Sequence, residues 1–270
     1  QLALIPHFVE GNLEPPGRYP VGHMYLYAGV IRLWKAVTGQ EGTVPSLSHE
    51  TRRDFFPYLV TVRSLQCLLS AAIPLFIFFF CRRLWGPWVG LLAAFLVASD
   101  PIHLSYSRQE MGEIPQFFWM SLSLVFAGRI FSEGYKRDCW WAGFFAGLAV
   151  ATKMYGGYVV LGGLGAVFFF RKQIIRKSAW VILGLVLGIL AGSPYFWLDP
   201  GGWWNNTVLE AVDEFFVRAP HLGGSRMAQM GQGLLYLWQG LNHRFHLPWI
   251  LFSLMGIGFL LWRHQKRDLF

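Results

Sequence analysis

Ala98-Ser-Asp-Pro-Ile-His-Leu-Ser-Tyr-Ser-Arg-Gln-Glu-Met-Gly-Glu113 gathers six ionisable side chains, Asp100, His103, Tyr106, Arg108, Glu110 and Glu113, between two runs apolar enough to cross a membrane. Ionisable groups are costly inside lipid, so such a cluster marks a site at a membrane face. The whole chain fits that setting. It is 54% hydrophobic and 17% aromatic with only 14% charged residues, and its mean hydropathy is +0.38, outside the range of soluble globular domains. The net charge of +8 does not indicate nucleic acid, because Lys and Arg stand in short groups between apolar runs and form no continuous stripe. Cys67, Cys81 and Cys139 lack metal-ligand spacing and are odd in number, so they read as packing residues.

A helix needs about 20 apolar residues to cross the hydrocarbon core. On that criterion spans are expected near 57–80, 87–104, 114–131, 139–153, 155–170, 178–197 and 248–262. The expected fold is therefore all-α, a polytopic bundle of about seven transmembrane helices. The run 139–170 is too long for one helix and short for two, with a break expected at Lys153-Met-Tyr-Gly-Gly157. Broken backbone at membrane depth is tolerated only against protein or a wet cavity, so this break is a second pointer to a site.

Basic residues fall on alternate turns: Arg82 and Arg83, Lys136 and Arg137, Arg171, Lys172, Arg176 and Lys177, then Arg263, Lys266 and Arg267. The positive-inside rule makes that face cytoplasmic. The outer face then receives residues 1–56, the 98–113 cluster, the break at Lys153 and residues 198–247. Residues 23–38 are apolar enough to tempt a span, but a span there would invert every later loop. With Arg32 and Lys35 in its second half, this segment is expected to lie in the outer interface. The expected organisation is an outer segment 1–56, a transmembrane module 57–197, an outer segment 198–247, and a last span with a basic cytoplasmic end, 248–270. The chain opens at Gln1 in mid-amphipathic sequence, with no initiator Met and no cleavable signal, so further sequence is expected upstream.

Several segments resemble, in order and spacing, the conserved module of the GT-C membrane glycosyltransferases, in particular relatives of protein O-mannosyltransferases and lipid A aminoarabinose transferases. They are Glu10-Gly-Asn-Leu-Glu-Pro-Pro-Gly-Arg-Tyr-Pro20, Cys81-Arg-Arg-Leu-Trp-Gly-Pro-Trp-Val-Gly-Leu-Leu-Ala-Ala94 and Asp100-Pro-Ile-His-Leu-Ser-Tyr-Ser-Arg108 followed by Glu113. Ala142-Gly-Phe-Phe-Ala-Gly-Leu-Ala-Val-Ala-Thr-Lys153 and Gly192-Ser-Pro-Tyr-Phe-Trp-Leu-Asp-Pro200 complete the set. The resemblance implies an integral-membrane enzyme that takes sugar from a polyprenyl-phosphate carrier. It also implies an acidic motif after an initial helix, which would lie before Gln1, and a second acid, generally Asp, where this chain has Glu113.

Such a transfer asks for a carboxylate to take the acceptor proton, positive charge for the departing phosphate and a groove for the polyprenyl chain. Glu113 and Glu110 are the candidate catalytic acids. Three apart at the start of a span, they are expected to share a helix face, although acids there also simply complement the helix dipole. Arg18, Arg108 and Lys153 are the candidate phosphate and donor contacts, since Arg donates two parallel hydrogen bonds and Lys153 interrupts a nearly uncharged run. Snorkelling, or pairing of Arg108 with Glu110 or Glu113, is the plainer alternative. Tyr19, Asp100, His103 and Asp199 are expected to line the same pocket. Asp100 before Pro101 also reads as a helix terminator, and a lone His more often as a structural residue. In the outer segment, Trp203 and Trp204 read as interfacial anchors. His243-Arg-Phe-His246 has metal-ligand spacing without a third ligand, so no metal site is assigned and a divalent cation is left open.

The partners expected are a polyprenyl-phosphate sugar, membrane lipid and an acceptor protein, lipid or glycan, with no nucleic acid. The location is a bacterial inner membrane with the site facing outward, or the endoplasmic reticulum membrane in a eukaryote. Two other readings stay open. One is a non-catalytic subunit of a membrane complex that retains the fold. The other is a lipid-linked sugar flippase, disfavoured because no internal repeat is visible and the polar groups crowd one face.

Overall fold

The computed structural model describes residues 8–10, 22–40, 44, 52–168 and 173–205. Among these residues the chain is helical without strands. Its fold class is the expected one, a helical membrane bundle. Helix α1 is Gly22–Thr38, α2 Arg52–Trp85, α3 Pro87–Ser99, α4 Pro101–Ser107, α5 Glu113–Glu133 and α6 Lys136–Thr152. A 3-10 turn, Met154–Val159, leads into α7 Val160–Phe168, followed by α8 Ile174–Gly192, α9 Tyr195–Leu198 and α10 Pro200–Trp203.

Among the described residues three helices are long and apolar enough to cross a membrane: Phe55–Trp85, Glu113–Glu133 and Ile174–Gly192. Their outward apolar residues, such as Leu68, Phe79 and Ile182, form the surface that lipid would cover. The expected span 87–104 is found as a bent pair, α3 and α4, meeting at 59° and together long and apolar enough for a broken span or a re-entrant loop. Pro101 disfavours α-helical backbone at Asp100, which is extended (φ −66°, ψ 121°), and the Asp100 carboxylate accepts from the N–H groups of Ile102 and His103. That cap starts a new helix in a new direction.

The expected pair 139–153 and 155–170 is found as α6 and as the 3-10 turn with α7, each shorter than a full span. Helix α6 has 17 residues and opens on Lys136-Arg137-Asp138, which belong at an interface. At one rise of about 1.5 Å per residue its apolar part falls short of the bilayer core. The expected span 248–262 lies outside the described residues. Helix α2 carries Arg82 and Arg83 in its last turn, where they complement the helix dipole. Gly86, at φ 99°, and Pro87 then reverse the chain into α3.

The closest helix contact is between α6 and α8. A Cβ on Gly143 or Gly147 would run into the carbonyl oxygen of Val181 or Leu185, and one on Gly184 or Gly188 into that of Trp140 or Phe144. Backbone therefore lies on backbone, an approach that only small residues allow. Around it Trp140 and Phe144 stack at 5.0 Å, and Trp119 stacks on Phe145 at 6.0 Å.

The charges separate to the two ends of this bundle. At one end Arg83 pairs with Glu133 and donates to Ser132 Oγ at 2.5 Å, while buried Asp138 lies 3.2 Å from Arg129 Nε. At the other end stand the 108–113 loop, the end of α6 and the start of α2.

Candidate functional site

Helix α1 meets the bundle at the end of α6. A Cβ on Gly22 would stand 2.7 Å from the Ala151 carbonyl oxygen, which brings His23 beside Thr152 and Lys153. There α6 ends: Lys153 still donates its N–H to Ala149 at 2.9 Å, but its backbone is extended (φ −154°, ψ 136°). Its ammonium forms an ion pair with Glu113 Oε1 at the first residue of α5, the two side chains being 31% and 19% exposed. The other carboxylate oxygen, Glu113 Oε2, is buried without a hydrogen-bond partner among the described residues.

The loop between α4 and α5 is held by α2. Arg63, Gln66 and Ser70 recur at helical spacing and share one face. Arg63 pairs with Glu110. Gln66 Nε2 lies 2.6 Å from Tyr27 Oη, 2.7 Å from the Met111 carbonyl and 2.9 Å from that of Gln109, so two hydrogens serve three acceptors. Tyr27 in turn donates to Met111 O at 2.9 Å. Ser70 Oγ and His103 Nε2 are 2.9 Å apart and both buried. Two helices distant in sequence, α1 and α2, thus fix the backbone that presents Glu113.

The His23 side chain is 3% exposed, and neither ring nitrogen makes a well-formed hydrogen bond among the described residues, although the Thr152 backbone is near enough to favour its protonated form. It packs edge-on to Tyr27 at 5.7 Å and against Gly112, where a Cβ would come within 2.9 Å of Nδ1. Burial, then the Lys153 charge, push its pKa down to about 4, with the Thr152 backbone and the Glu113 carboxylate pulling the other way. The imidazole is therefore neutral at neutral pH. Burial, then the carboxylates of Glu110 and Glu113, raise the pKa of Tyr27, which keeps its proton and stays a donor.

The expected site residues divide. Glu113 and Lys153, forty positions apart, come together, and His103 lies deeper between α4 and α2. Glu110 and Glu113 do not share a helix face: α5 begins at Glu113, so Glu110 stands in the loop and turns to Arg63. Arg108 pairs with neither acid and is exposed. Asp100 is spent on capping α4. Asp199 caps α10, accepting from Gly202 N–H at 2.8 Å and Tyr195 O–H at 3.0 Å, bonds that lower its pKa. Arg18, Tyr19, His243 and His246 lie outside the described residues.

The sequence reading passed over His23, Tyr27 and Gln66. A His and a Gln on the faces of otherwise apolar helices were the available signals.

The described residues thus form a helical membrane bundle in which an acid and a base are joined at a broken helix end. A family model described as dolichyl-phosphate-mannose-protein mannosyltransferase matches residues 58–197, and the chain belongs to that family. The match covers α2 to α9, including Arg63, Gln66, Glu113 and Lys153. No curated protein matches the chain, and no solved structure does.

Proposed function

We propose that this protein moves a sugar from a polyprenyl-phosphate donor to an acceptor hydroxyl on the extracytoplasmic side of its membrane, with inversion at the anomeric carbon. The observation that carries this reading is the Lys153–Glu113 pair at the break after α6, within the segment that matches the family. In the reaction the acceptor oxygen bonds to the anomeric carbon as the bond to the phosphate oxygen breaks. The phosphate leaves with that electron pair, and the acceptor proton passes to a carboxylate.

Asp100 and Asp199 at this end are spent on helix caps, and the carboxylates of the loop before α5 and of its first residue are Glu110 and Glu113. Arg63 occupies Glu110, whereas Glu113 retains Oε2, and it is the one assigned to the reacting groups. The pairing of Lys153 with Glu113 leaves exposed Arg108, on the same loop, as the cation better suited to the departing phosphate. The outward orientation rests on the basic residues at the opposite end of the bundle, Arg82, Arg83, Lys136, Arg137 and Lys177.

The test is transfer from a radiolabelled polyprenyl-phosphate sugar by the full-length protein in proteoliposomes. Glu113→Gln and Lys153→Ala are each expected to lose transfer by at least about tenfold, the scale of a lost charged hydrogen bond. Unaltered transfer in both variants would remove the assignment.

A further inference from the structure

One buried and two half-buried polar side chains without full complements of partners meet at one place. Glu113 Oε2 accepts only, and His23 offers one ring N–H and one ring nitrogen lone pair when neutral. Lys153 has its ammonium on Glu113 Oε1 and further hydrogens to give. Beside them Gly112 leaves room where any Cβ would crowd the His23 ring, and Tyr27 closes the edge. A carboxylate oxygen buried in this way needs a donor, because an unpaired buried charge is expensive.

We infer that His23, Glu113 and Lys153 form a binding subsite for an uncharged hydroxyl group of the substrate, and not for the donor's phosphate. The inference rests on the proposed glycosyl transfer. The phosphate of a polyprenyl-phosphate sugar is a diester: it carries a negative charge and no hydrogen, so it cannot donate to Glu113 Oε2 and would face that carboxylate across a short gap. A hydroxyl satisfies the geometry. It donates to Glu113 Oε2 and accepts from the His23 N–H or from Lys153, and the pair of opposite charges gives the pocket no net attraction for an anion. The burial that holds His23 neutral removes one more reason for a phosphate to settle there. Hydroxyls enter this site from two sources, the donor's sugar ring and the acceptor.

The experiment compares wild type with His23→Phe, which keeps the ring volume but cannot hydrogen-bond, and with Glu113→Gln, using full-length protein in detergent. Affinities for polyprenyl-phosphate mannose and for bare polyprenyl phosphate are read by tryptophan fluorescence. Transfer is read with methyl mannoside and with a serine- and threonine-containing peptide as acceptors.

Loss of about tenfold in affinity for the mannosylated carrier, with bare carrier bound as in wild type, supports the inference and assigns the hydroxyl to the donor sugar. Unchanged carrier binding with an acceptor KM raised about tenfold supports it and assigns the hydroxyl to the acceptor. His23→Gln, which retains a donor and an acceptor, is expected to stay within about threefold of wild type in either case. Its melting temperature and that of Glu113→Gln keep the test open if His23→Phe fails to fold.

Equal weakening of bare and mannosylated carrier would make this a phosphate site and overturn the inference. No change in carrier affinity or acceptor KM would overturn it as well. Wild-type protein that binds neither carrier would instead defeat the proposed function on which the inference depends.

Discussion

His23 is the residue whose state depends most on its surroundings. It faces Lys153, Glu113, Tyr27 and the Thr152 backbone, and its pKa lies near 4 against 6.5 when free. Between those two values the unfolded chain binds the extra proton and the folded chain does not, so folding stability is full above about pH 6.5 and falls as the pH drops toward 4. Thermal melts in detergent are expected to show that slope, and His23→Gln to flatten it. Parallel slopes in the two proteins would contradict the assignment. Gln66 carries a different load, tying Tyr27 to the backbone of Gln109 and Met111. Gln66→Leu leaves the partly buried Gln109 carbonyl short of a donor while Met111 keeps that of Tyr27, at a cost of roughly 1–3 kcal/mol, and is expected to lower both the melting temperature and sugar transfer. Composition could single out Lys153 and Glu113 because charges in apolar runs are conspicuous. It could not show that Glu113 turns to Lys153 while Glu110 turns to Arg63, since that depends on α5 starting at Glu113.

At the level of elements, α6 and α8 depend on glycine for contact, not for backbone freedom. Gly143→Ala or Gly188→Ala places a methyl group on a facing carbonyl oxygen. With backbone as the obstacle, overpacking of about 1–3 kcal/mol or more is expected. Gly29→Ala, exposed on α1 with nothing near its added carbon, should instead be neutral or stabilising by up to about 1 kcal/mol. Melting temperatures of the variants test the contrast; equal effects would refute the contact argument. The hydropathy pattern located these helices because apolar length is a property of the sequence itself. It ran through Asp100 and gave one span at 87–104, although Asp100-Pro101 carried the signal for a turn. The 59° bend was not legible because its size is set by α4 packing its His103 onto Ser70 of α2, a contact between distant segments.

For the whole molecule, cysteine labelling tests the proposed orientation. With Cys67, Cys81 and Cys139 replaced by serine or alanine, Arg108→Cys is expected to react with a membrane-impermeant maleimide added outside intact cells, and Lys136→Cys only after permeabilisation. The reverse pattern would turn the site toward the cytoplasm. The alternation of basic groups along the chain made two ends legible from sequence, and the ion pairs at each end of the bundle agree with that division. What the sequence withheld was the joining of His23 to Glu113 and Lys153, since it depends on how α1 comes to rest against α6. The glycine contact bears on that arrangement. Two backbones pressed together have no side chains between them that can repack, so Lys153 stands at the end of a strut braced by its neighbour. Helix α1 bears on that strut near its tip, through Gly22 and His23. The site is therefore braced from two sides, Lys153 by the contact of α6 with α8 and His23 by that of Gly22 with the Ala151 backbone.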